Sequence, residues 1–276
     1  MSAVRSEGRG PWSGKRYNRR ALAFRHPDIG SSDTEENWAI GVLHDPRLER
    51  LLTQLHDRSD QQLEPMRAYY AARERHDTPP PDNDAARIKE FLRDKLVALD
   101  RDKAEFCYQL CRAINARRIV EIGTSFGVST LYLAAALRDN LRGGGDGVVI
   151  GTEYEPEKAR AARGHFAEAG LSRLIDLREG DLRETLKQVE GPVDFMLVDI
   201  WIPMARPAIE RVAPHLRPGA IVICDNTERY RSDYADYFAF LSDPANGFRT
   251  MTLPFDGGLE LSVACPPRRI DPSGRV

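Results

Sequence analysis

Acidic side chains accompany three successive strands that the sequence predicts near its middle. Glu121 lies in the apolar run IVEIG, Glu153 ends the run VVIGTE, and Asp181 follows LIDLREG. Between the first two acids, Gly123 and Gly127 enclose a short turn that leads into a run of good helix formers. Carboxylates accept hydrogen bonds and attract positive charge. These residues therefore predict a site for a ligand that carries hydroxyl or amino groups.

The spacing of the two glycines separates this turn from the one that binds dinucleotides. A dinucleotide fold requires G-x-G-x-x-G, so that backbone amides can approach a pyrophosphate. Here Ser125 stands at the position of the second glycine, and Glu121 adds a negative charge nearby. The pattern disfavours a phosphate-bearing ligand. It therefore also counts against a nicotinamide-dependent oxidoreductase, which is the alternative from another enzyme class.

The acids that follow the second and third strands indicate which ligand this turn receives. Glu153 can accept both hydroxyl groups of a ribose, as the corresponding acid does in nucleotide folds, and Asp181 is placed to bond an adenine amino group. The implied ligand is adenosine-like, positively charged and free of phosphate, which describes S-adenosylmethionine. The predicted cofactor-binding residues are Glu121, Gly123, Thr124, Ser125, Gly127, Ser129, Glu153, Tyr154, Asp181 and Asp199.

Oxygen-bearing side chains also end the fourth and fifth predicted strands. Asp199 ends VDFMLVD, and Asp225 and Asn226 follow AIVIC. Because adjacent strand ends lie about 5 Å apart, these three side chains can converge on one point. Three such oxygens, completed by water and substrate oxygens, suit an octahedral Mg²⁺ ion. The alternative is that Asp225 and Asn226 only cap the following turn.

Strands and helices alternate from Arg118 onward, and this alternation positions all of these residues. Apolar strands followed by helical segments predict a parallel sheet that is covered on both faces. FRTMTLP and LELSVAC predict two closing strands, joined through the turn signal FDGG. We therefore expect an α/β fold with a doubly wound, mostly parallel seven-stranded sheet, in a cofactor-binding domain at residues 116–267.

The first 115 residues have a different organisation from the rest of the chain. Residues 1–45 are rich in Arg, Gly, Ser and Asp without periodicity, which is typical of a flexible arm. Residues 46–115 predict a helical cap or dimerisation layer, interrupted by the prolines of residues 77–84.

Apolar residues at helical spacing define three helices in this layer. The first carries a leucine face at residues 48–55, the second extends through Leu96 and Leu99, and the third covers about residues 103–115. We expect the leucine face to be exposed and to pair two copies of the chain as a homodimer.

The composition limits the partners of the protein. The formal net charge is −2 and the pI is about 6.3, which gives no reason to expect nucleic acid as a partner. No stretch approaches the roughly 18 apolar residues of a membrane span, and the first residues lack the apolar core of a signal peptide. The sequence therefore predicts a cytoplasmic protein that acts on a small molecule, without a membrane or nucleic-acid partner.

Five segments together resemble one family of enzymes. They are VEIGTSFGVSTLYLA, GTEYEPEKA, VDFMLVD, HLRPGAIVICDN and GLELSV. They are similar to segments of class I S-adenosylmethionine-dependent methyltransferases, above all the catechol/caffeoyl-CoA-type O-methyltransferases, over about residues 100–265. The resemblance implies a Rossmann-like methyltransferase fold. It also implies that Asp199, Asp225 and Asn226 hold a divalent ion that binds a vicinal diol, with Asp199 as the catalytic residue.

One position departs from the pattern of this family. Its members commonly have a lysine three residues after the first metal-binding aspartate, acting as general base, whereas this chain has Ile202. We predict a rather apolar substrate pocket, lined by Trp201, Ile202, Tyr230 and Tyr234.

The favoured function is metal-dependent O-methylation of a vicinal diol, such as a catechol, or of another specialised metabolite. One alternative is a metal-independent N- or C-methyltransferase that acts on a specialised metabolite. The other is a cofactor-sensing or partner-binding module that has kept the fold.

Overall fold

The computed structural model describes residues 41–74 and 84–265, which contain eight α-helices and seven strands. The helices are α1 (Pro46–Glu74), α2 (Asp84–Leu92), α3 (Arg101–Ala113), α4 (Val128–Asn140), α5 (Pro156–Glu168), α6 (Leu182–Thr185), α7 (Ala205–Val212) and α8 (Ala235–Ser242). The strands are β1 (Arg118–Ile122), β2 (Val148–Glu153), β3 (Ile175–Glu179), β4 (Val193–Val198), β5 (Leu216–Asp225), β6 (Phe248–Leu253) and β7 (Leu259–Ala264).

The strands form one sheet in the order β3-β2-β1-β4-β5-β7-β6. Strands β1 to β5 are parallel, and β7 pairs antiparallel with both β5 and β6. The predicted doubly wound, mostly parallel seven-stranded sheet is therefore confirmed. The strand order reverses between β1 and β4, and in such sheets ligands bind outside the carboxyl ends of the strands at this reversal.

Continuous apolar runs explain why the central strands and the first crossover helix are buried. All six residues of β4 are buried, as expected for a parallel strand that is covered on both faces. Helix α4 is also buried on nearly every side, because it packs between the sheet and α3 and also contacts α1. Two apolar clusters result, one on each face of the sheet.

The leucine face of α1 does not form an exposed surface for a partner. Leu48, Leu51, Leu52 and Leu55 are at most 6% exposed and belong to the same apolar cluster as α4. The prediction that this face is exposed is wrong, because the chain itself covers the leucines, and the homodimer stays a prediction without this surface. The amphipathic pattern indicated a buried face correctly but did not show which surface covers it.

The second predicted helix is shorter than its apolar pattern suggested. Helix α2 ends at Leu92, and Leu96 and Leu99 lie in a non-helical segment that leads into α3. Both leucines are nevertheless buried, at 1% and 2% exposure. Their spacing matched a helix by coincidence, because a loop that crosses the core also buries apolar side chains.

Some predictions concern residues outside the described part of the chain. These are nearly all of the proposed arm at residues 1–45 and most of the proline-rich break at residues 77–84. Within residues 41–74 and 84–265, no helix is both long and apolar enough to cross a membrane.

Candidate active site

The glycine turn lies between the carboxyl end of β1 and the start of α4. The backbone N–H of Thr124 donates to the carbonyl of Thr152 at 2.9 Å, which fixes the turn against β2. A Cβ atom on Gly123 would lie 2.0 Å from the backbone oxygen of Asp199, and φ at this glycine is +96°. Only glycine tolerates both this conformation and this close approach. The turn therefore lies directly beside the segment that follows β4.

Glu121 fixes the turn from beneath. It is fully buried, and its carboxylate accepts hydrogen bonds from the hydroxyl groups of Thr124 at 2.8 Å, Ser129 at 2.6 Å and Thr130. These bonds connect the strand, the turn and the first turn of α4. The structure thus places Glu121 within the support of the loop rather than on its open side.

Glu153 presents a fixed carboxylate at the carboxyl end of β2. Its Oε2 accepts from the backbone N–H of Ser125 at 2.7 Å, and its Oε1 accepts from the N–H of Glu155 at 2.7 Å. Ser125 reaches this position with φ of +50°, an uncommon backbone conformation for a residue with a side chain. Each carboxylate oxygen keeps a further lone pair for an outside donor. The arrangement therefore suits the ribose-binding role predicted for this residue.

Two further predicted cofactor-binding residues, Tyr154 and Asp181, follow the carboxyl ends of β2 and β3. Tyr154 is 57% exposed, and the ammonium group of Lys89 lies 3.9 Å from its ring centroid. Asp181 begins α6, accepts from the backbone N–H of Arg183 at 2.9 Å and also pairs with that guanidinium group. These hydrogen bonds from Arg183 lower the pKa of Asp181 to about 2. Asp181 is thus a helix cap as well as a candidate adenine ligand.

A narrow cleft connects the turn with the end of β4. It is lined by the loop of residues 96–99 on one side and by Gly123, Ser125, Ser129 and Asp199 on the other. The loop that interrupts the predicted second helix therefore forms one wall of the candidate cofactor site.

Two carboxylates and an amide meet at the ends of β4 and β5. Asp199 follows β4, and its backbone N–H donates to the carbonyl of Ile122 at 3.0 Å. Asp225 ends β5, and its Oδ2 accepts from the side-chain amide of Asn226 at 2.7 Å. Burial, together with the charge of Asp225, raises the pKa of Asp199 to about 8. Asp199 therefore keeps its proton near neutral pH unless a further cation offsets its charge.

The sequence did not reveal one member of this cluster, Lys103 of α3. Its side chain is 1% exposed, and its Nζ donates to Asp225 Oδ1 at 2.7 Å and lies 2.9 Å from Asp100 Oδ2. Burial alone would lower the pKa of Lys103, but the two carboxylates raise it. Lys103 stands in an otherwise buried face of the helix, within the segment DRDKAEFCYQL that resembles a cofactor-side segment of the family, but neither signal indicated a contact with Asp225.

The donor set of the cluster fits a divalent cation. Carboxylate and amide oxygens are the ligands that Mg²⁺ prefers. A half-turn of the Asn226 amide exchanges its nitrogen for its oxygen, which would then lie beside Asp225 Oδ2. No group of three His, Cys, Asp or Glu side chains in the described residues could hold a metal. The proposed set of Asp199, Asp225 and Asn226 contains two such residues and an amide.

The residues predicted to line a substrate pocket differ in their exposure. Trp201 is 44% exposed, whereas Ile202 and Tyr230 are half-buried and pack against the apolar cluster of one sheet face. Tyr234 is 3% exposed, and its hydroxyl donates to the backbone carbonyl of Asp225 at 3.1 Å. We therefore assign Tyr234 to the support of the β5 end, because its hydroxyl already has a partner and little of its ring is accessible.

Comparison with known proteins agrees with this geometry. Residues 120–227 match the model of a family described as a methyltransferase domain. The catechol O-methyltransferase of Mycobacterium tuberculosis is 33% identical over 48% of this chain and 58% of its own length. The catechol O-methyltransferase of Niastella koreensis is 28% identical over 48% of this chain and 59% of its own length. Caffeoyl-CoA O-methyltransferase 2 of Zea mays is 29% identical over 48% of this chain and 50% of its own length. The matched segment thus spans between half and three fifths of these relatives.

Solved structures show the same fold. The O-methyltransferase from Bacillus cereus in complex with SAH superposes with a TM-score of 0.56 at 20% identity, over 80% of this chain and 91% of that one. Residues 120–227 are thus similar to a methyltransferase domain, and the relatives that they match are named catechol and caffeoyl-CoA O-methyltransferases.

Proposed function

We propose that this protein transfers a methyl group from S-adenosylmethionine to a hydroxyl oxygen of a small-molecule acceptor, most favourably one with a vicinal diol such as a catechol. One observation carries the proposal. The glycine turn, the fixed Glu153 carboxylate and the Asp199–Asp225 cluster all lie along one edge of the sheet. The names of the relatives support oxygen as the methylated atom.

The residues of the chain serve this reaction mainly by positioning. The acceptor oxygen forms a bond to the methyl carbon while the carbon–sulfur bond breaks, and the electron pair stays on sulfur. The products are the methyl ether, S-adenosylhomocysteine and the released hydroxyl proton. In our proposal, Glu153 orients the ribose, and the turn from Gly123 to Gly127 holds the methionine end. Correct in-line placement of the reacting atoms supplies a large part of the rate enhancement.

The proposal includes a divalent cation, probed most simply as Mg²⁺, held by Asp199, Asp225 and Asn226. When bound, such an ion lowers the pKa of a coordinated hydroxyl group and orients its oxygen. The convergence of Asp199, Asp225 and Asn226 at the ends of β4 and β5 supports this part of the proposal.

A second candidate function is metal-independent N- or C-methylation. It is favoured by Ile202, which stands where the family commonly has its basic lysine, and by the absence of ionisable side chains from residues 200–204. An amine or an electron-rich carbon needs no such base.

The two candidates are separated by an assay of methyl transfer with and without divalent ions. The protein is incubated with S-adenosylmethionine and a panel of catechols, aliphatic diols and amines, with Mg²⁺ or with EDTA, and products are identified by mass spectrometry. We expect O-methylated catechols with Mg²⁺ and loss of product with EDTA. Methylated amines or carbon centres that form equally well in EDTA would contradict the O-methylation proposal and support the second candidate.

A cytoplasmic homodimer remains part of the proposal, although the leucine face of α1 no longer supports it. Sedimentation velocity measures the state of assembly directly, and a single 31.1 kDa species would contradict the dimer.

A further inference from the structure

A buried ammonium group beside the proposed metal site has no role in the reaction described above. Lys103 lies in the first turn of α3, and Asp225 lies at the end of β5, 122 residues further along the chain. Lysine is almost never fully buried unless it is paired. Its burial at 1% exposure therefore needs a specific reason at this position.

The two oxygens of Asp225 have different partners. Oδ1 accepts a hydrogen bond from Lys103 Nζ at 2.7 Å, and Oδ2 lies 2.7 Å from the amide nitrogen of Asn226. The ammonium group thus fixes the rotation of the carboxylate. It leaves Oδ2 on the side of Asn226, which is the other proposed metal ligand from this loop.

We infer that Lys103 is a positioning residue for the divalent ion, holding Asp225 so that Oδ2 is presented to the metal. This inference rests on the proposed function, because it presupposes the metal site. Partners that orient a metal-binding carboxylate through hydrogen bonds typically contribute 10–100-fold to metal affinity.

The positive charge of Lys103 opposes this effect, because an ammonium group repels a cation. Asp100 reduces the repulsion. Its carboxylate lies 2.9 Å from Lys103 Nζ, and its side chain is 56% exposed, so it offsets the lysine charge without occupying the proposed ligand set. Orientation of Asp225 is therefore the larger effect, and removal of Lys103 weakens metal binding.

The inference is tested by electron paramagnetic resonance titration of Mn²⁺ into protein saturated with S-adenosylhomocysteine. We compare wild type with Lys103→Met, which removes both the charge and the donor, and with Lys103→Gln, which keeps a neutral donor. Lys103→Met should weaken Mn²⁺ binding by about 10–100-fold, and Lys103→Gln should weaken it less. The matched control is Arg217→Met, which removes a cation from the Asp194 carboxylate at the other end of the sheet and should leave Mn²⁺ affinity unchanged.

As a control for folding, the binding of S-adenosylhomocysteine to each variant is measured by calorimetry. A variant that binds it like wild type has a folded cofactor site. If wild type binds no Mn²⁺, the proposed metal site fails, and the role of Lys103 fails with it. If wild type binds Mn²⁺ and the folded lysine variants bind it equally well or more tightly, only the role of Lys103 is overturned. If Lys103→Met does not fold, Lys103→Gln alone decides in the same way.

Discussion

The two ends of the parallel sheet each bury a carboxylate beside a cation, but only the carboxyl end adds a second buried acid next to this pair. At the amino end, Asp194 accepts from the backbone N–H groups of Arg117 and Arg118 at 2.7 and 2.8 Å and pairs with the guanidinium of Arg217. One carboxylate there has one cation and two further donors. This arrangement satisfies a buried charge and fixes the ends of neighbouring strands.

At the carboxyl end, the ammonium group of Lys103 pairs with Asp225 and Asp100. Burial raises the pKa of Asp199 most, the charges of Asp225 and Glu121 raise it further, and Lys103 lowers it. Burying charge without full compensation is costly, and perturbed pKa values therefore mark candidate functional sites. The comparison indicates that the amino end is built for stability, whereas the carboxyl end buries an acid, Asp199, that would lose its proton more readily beside a bound cation.

Replacement of one aspartate by alanine at each end of the sheet should give the largest difference in the rate of methyl transfer between two variants. Asp225→Ala should lower the rate of methyl transfer by more than about 100-fold, because it removes a proposed metal ligand rather than a partner of one. Asp194→Ala should keep the turnover number but lower the free energy of unfolding by about 1–3 kcal/mol, because it leaves buried donors without an acceptor. Steady-state kinetics and urea denaturation measure both. Equal losses of turnover in the two variants would remove the distinction between the ends.

A methyl group added to the glycine turn should displace the backbone at the carboxyl end of the sheet. Gly123→Ala would place its Cβ against the carbonyl of Asp199 and strain a residue with positive φ. We expect the free energy of unfolding to fall by more than about 2 kcal/mol and binding of S-adenosylhomocysteine to weaken.

The matched control for this change is Gly164→Ala in the exposed part of α5. A Cβ there meets no atom within 4 Å, so the substitution should stabilise the protein by about 0.5–1 kcal/mol. Thermal melting and calorimetry compare the two variants, and similar effects of both would contradict the close approach of the turn to Asp199.

Acid should destabilise a third region that belongs to neither end. His56 of α1 is buried, its Nε2 lies 3.2 Å from the hydroxyl of Tyr132, and burial lowers its pKa to about 4. Between pH 6.5 and pH 4 the unfolded chain binds this proton and the folded chain does not, so stability falls as the pH falls through this window. The loss amounts to about 3 kcal/mol at most.

His56→Gln keeps a polar partner for Tyr132 but does not titrate. Its free energy of unfolding should fall less steeply between pH 6.5 and pH 4 than that of wild type. Parallel pH curves for the two proteins would show that the histidine is not held neutral by its burial.

The sheet and its acidic edge could be predicted because local patterns determine them. Apolar strands separated by helices fix a parallel sheet, and a residue that ends such a strand must lie at the carboxyl edge. Glu153, Asp199 and Asp225 were located in this way. The same reasoning could not predict which side chains from other elements contact these three residues.

Apart from the end of the second helix, the errors and omissions concern contacts between elements that are distant in the chain. Lys103 meets Asp225 only because α3 packs against the sheet in one register, and the α1 leucines are covered by the chain's own core. Tyr234 is buried beneath the end of β5 rather than open to a substrate. Sequence periodicity identifies an apolar or polar face, but not the surface that it meets.

Binding of S-adenosylhomocysteine to the wild-type protein and to Glu153→Ala tests the central claim most directly, because it requires no knowledge of the acceptor. Isothermal titration calorimetry should show one site per chain in wild type and a loss of affinity of at least about 10-fold, or about 1.4 kcal/mol, in the variant. Glu179→Ala, at the end of the neighbouring β3, serves as the control and should bind like wild type. Absence of binding to wild type, or equal binding to Glu153→Ala, would contradict a cofactor site at this edge of the sheet.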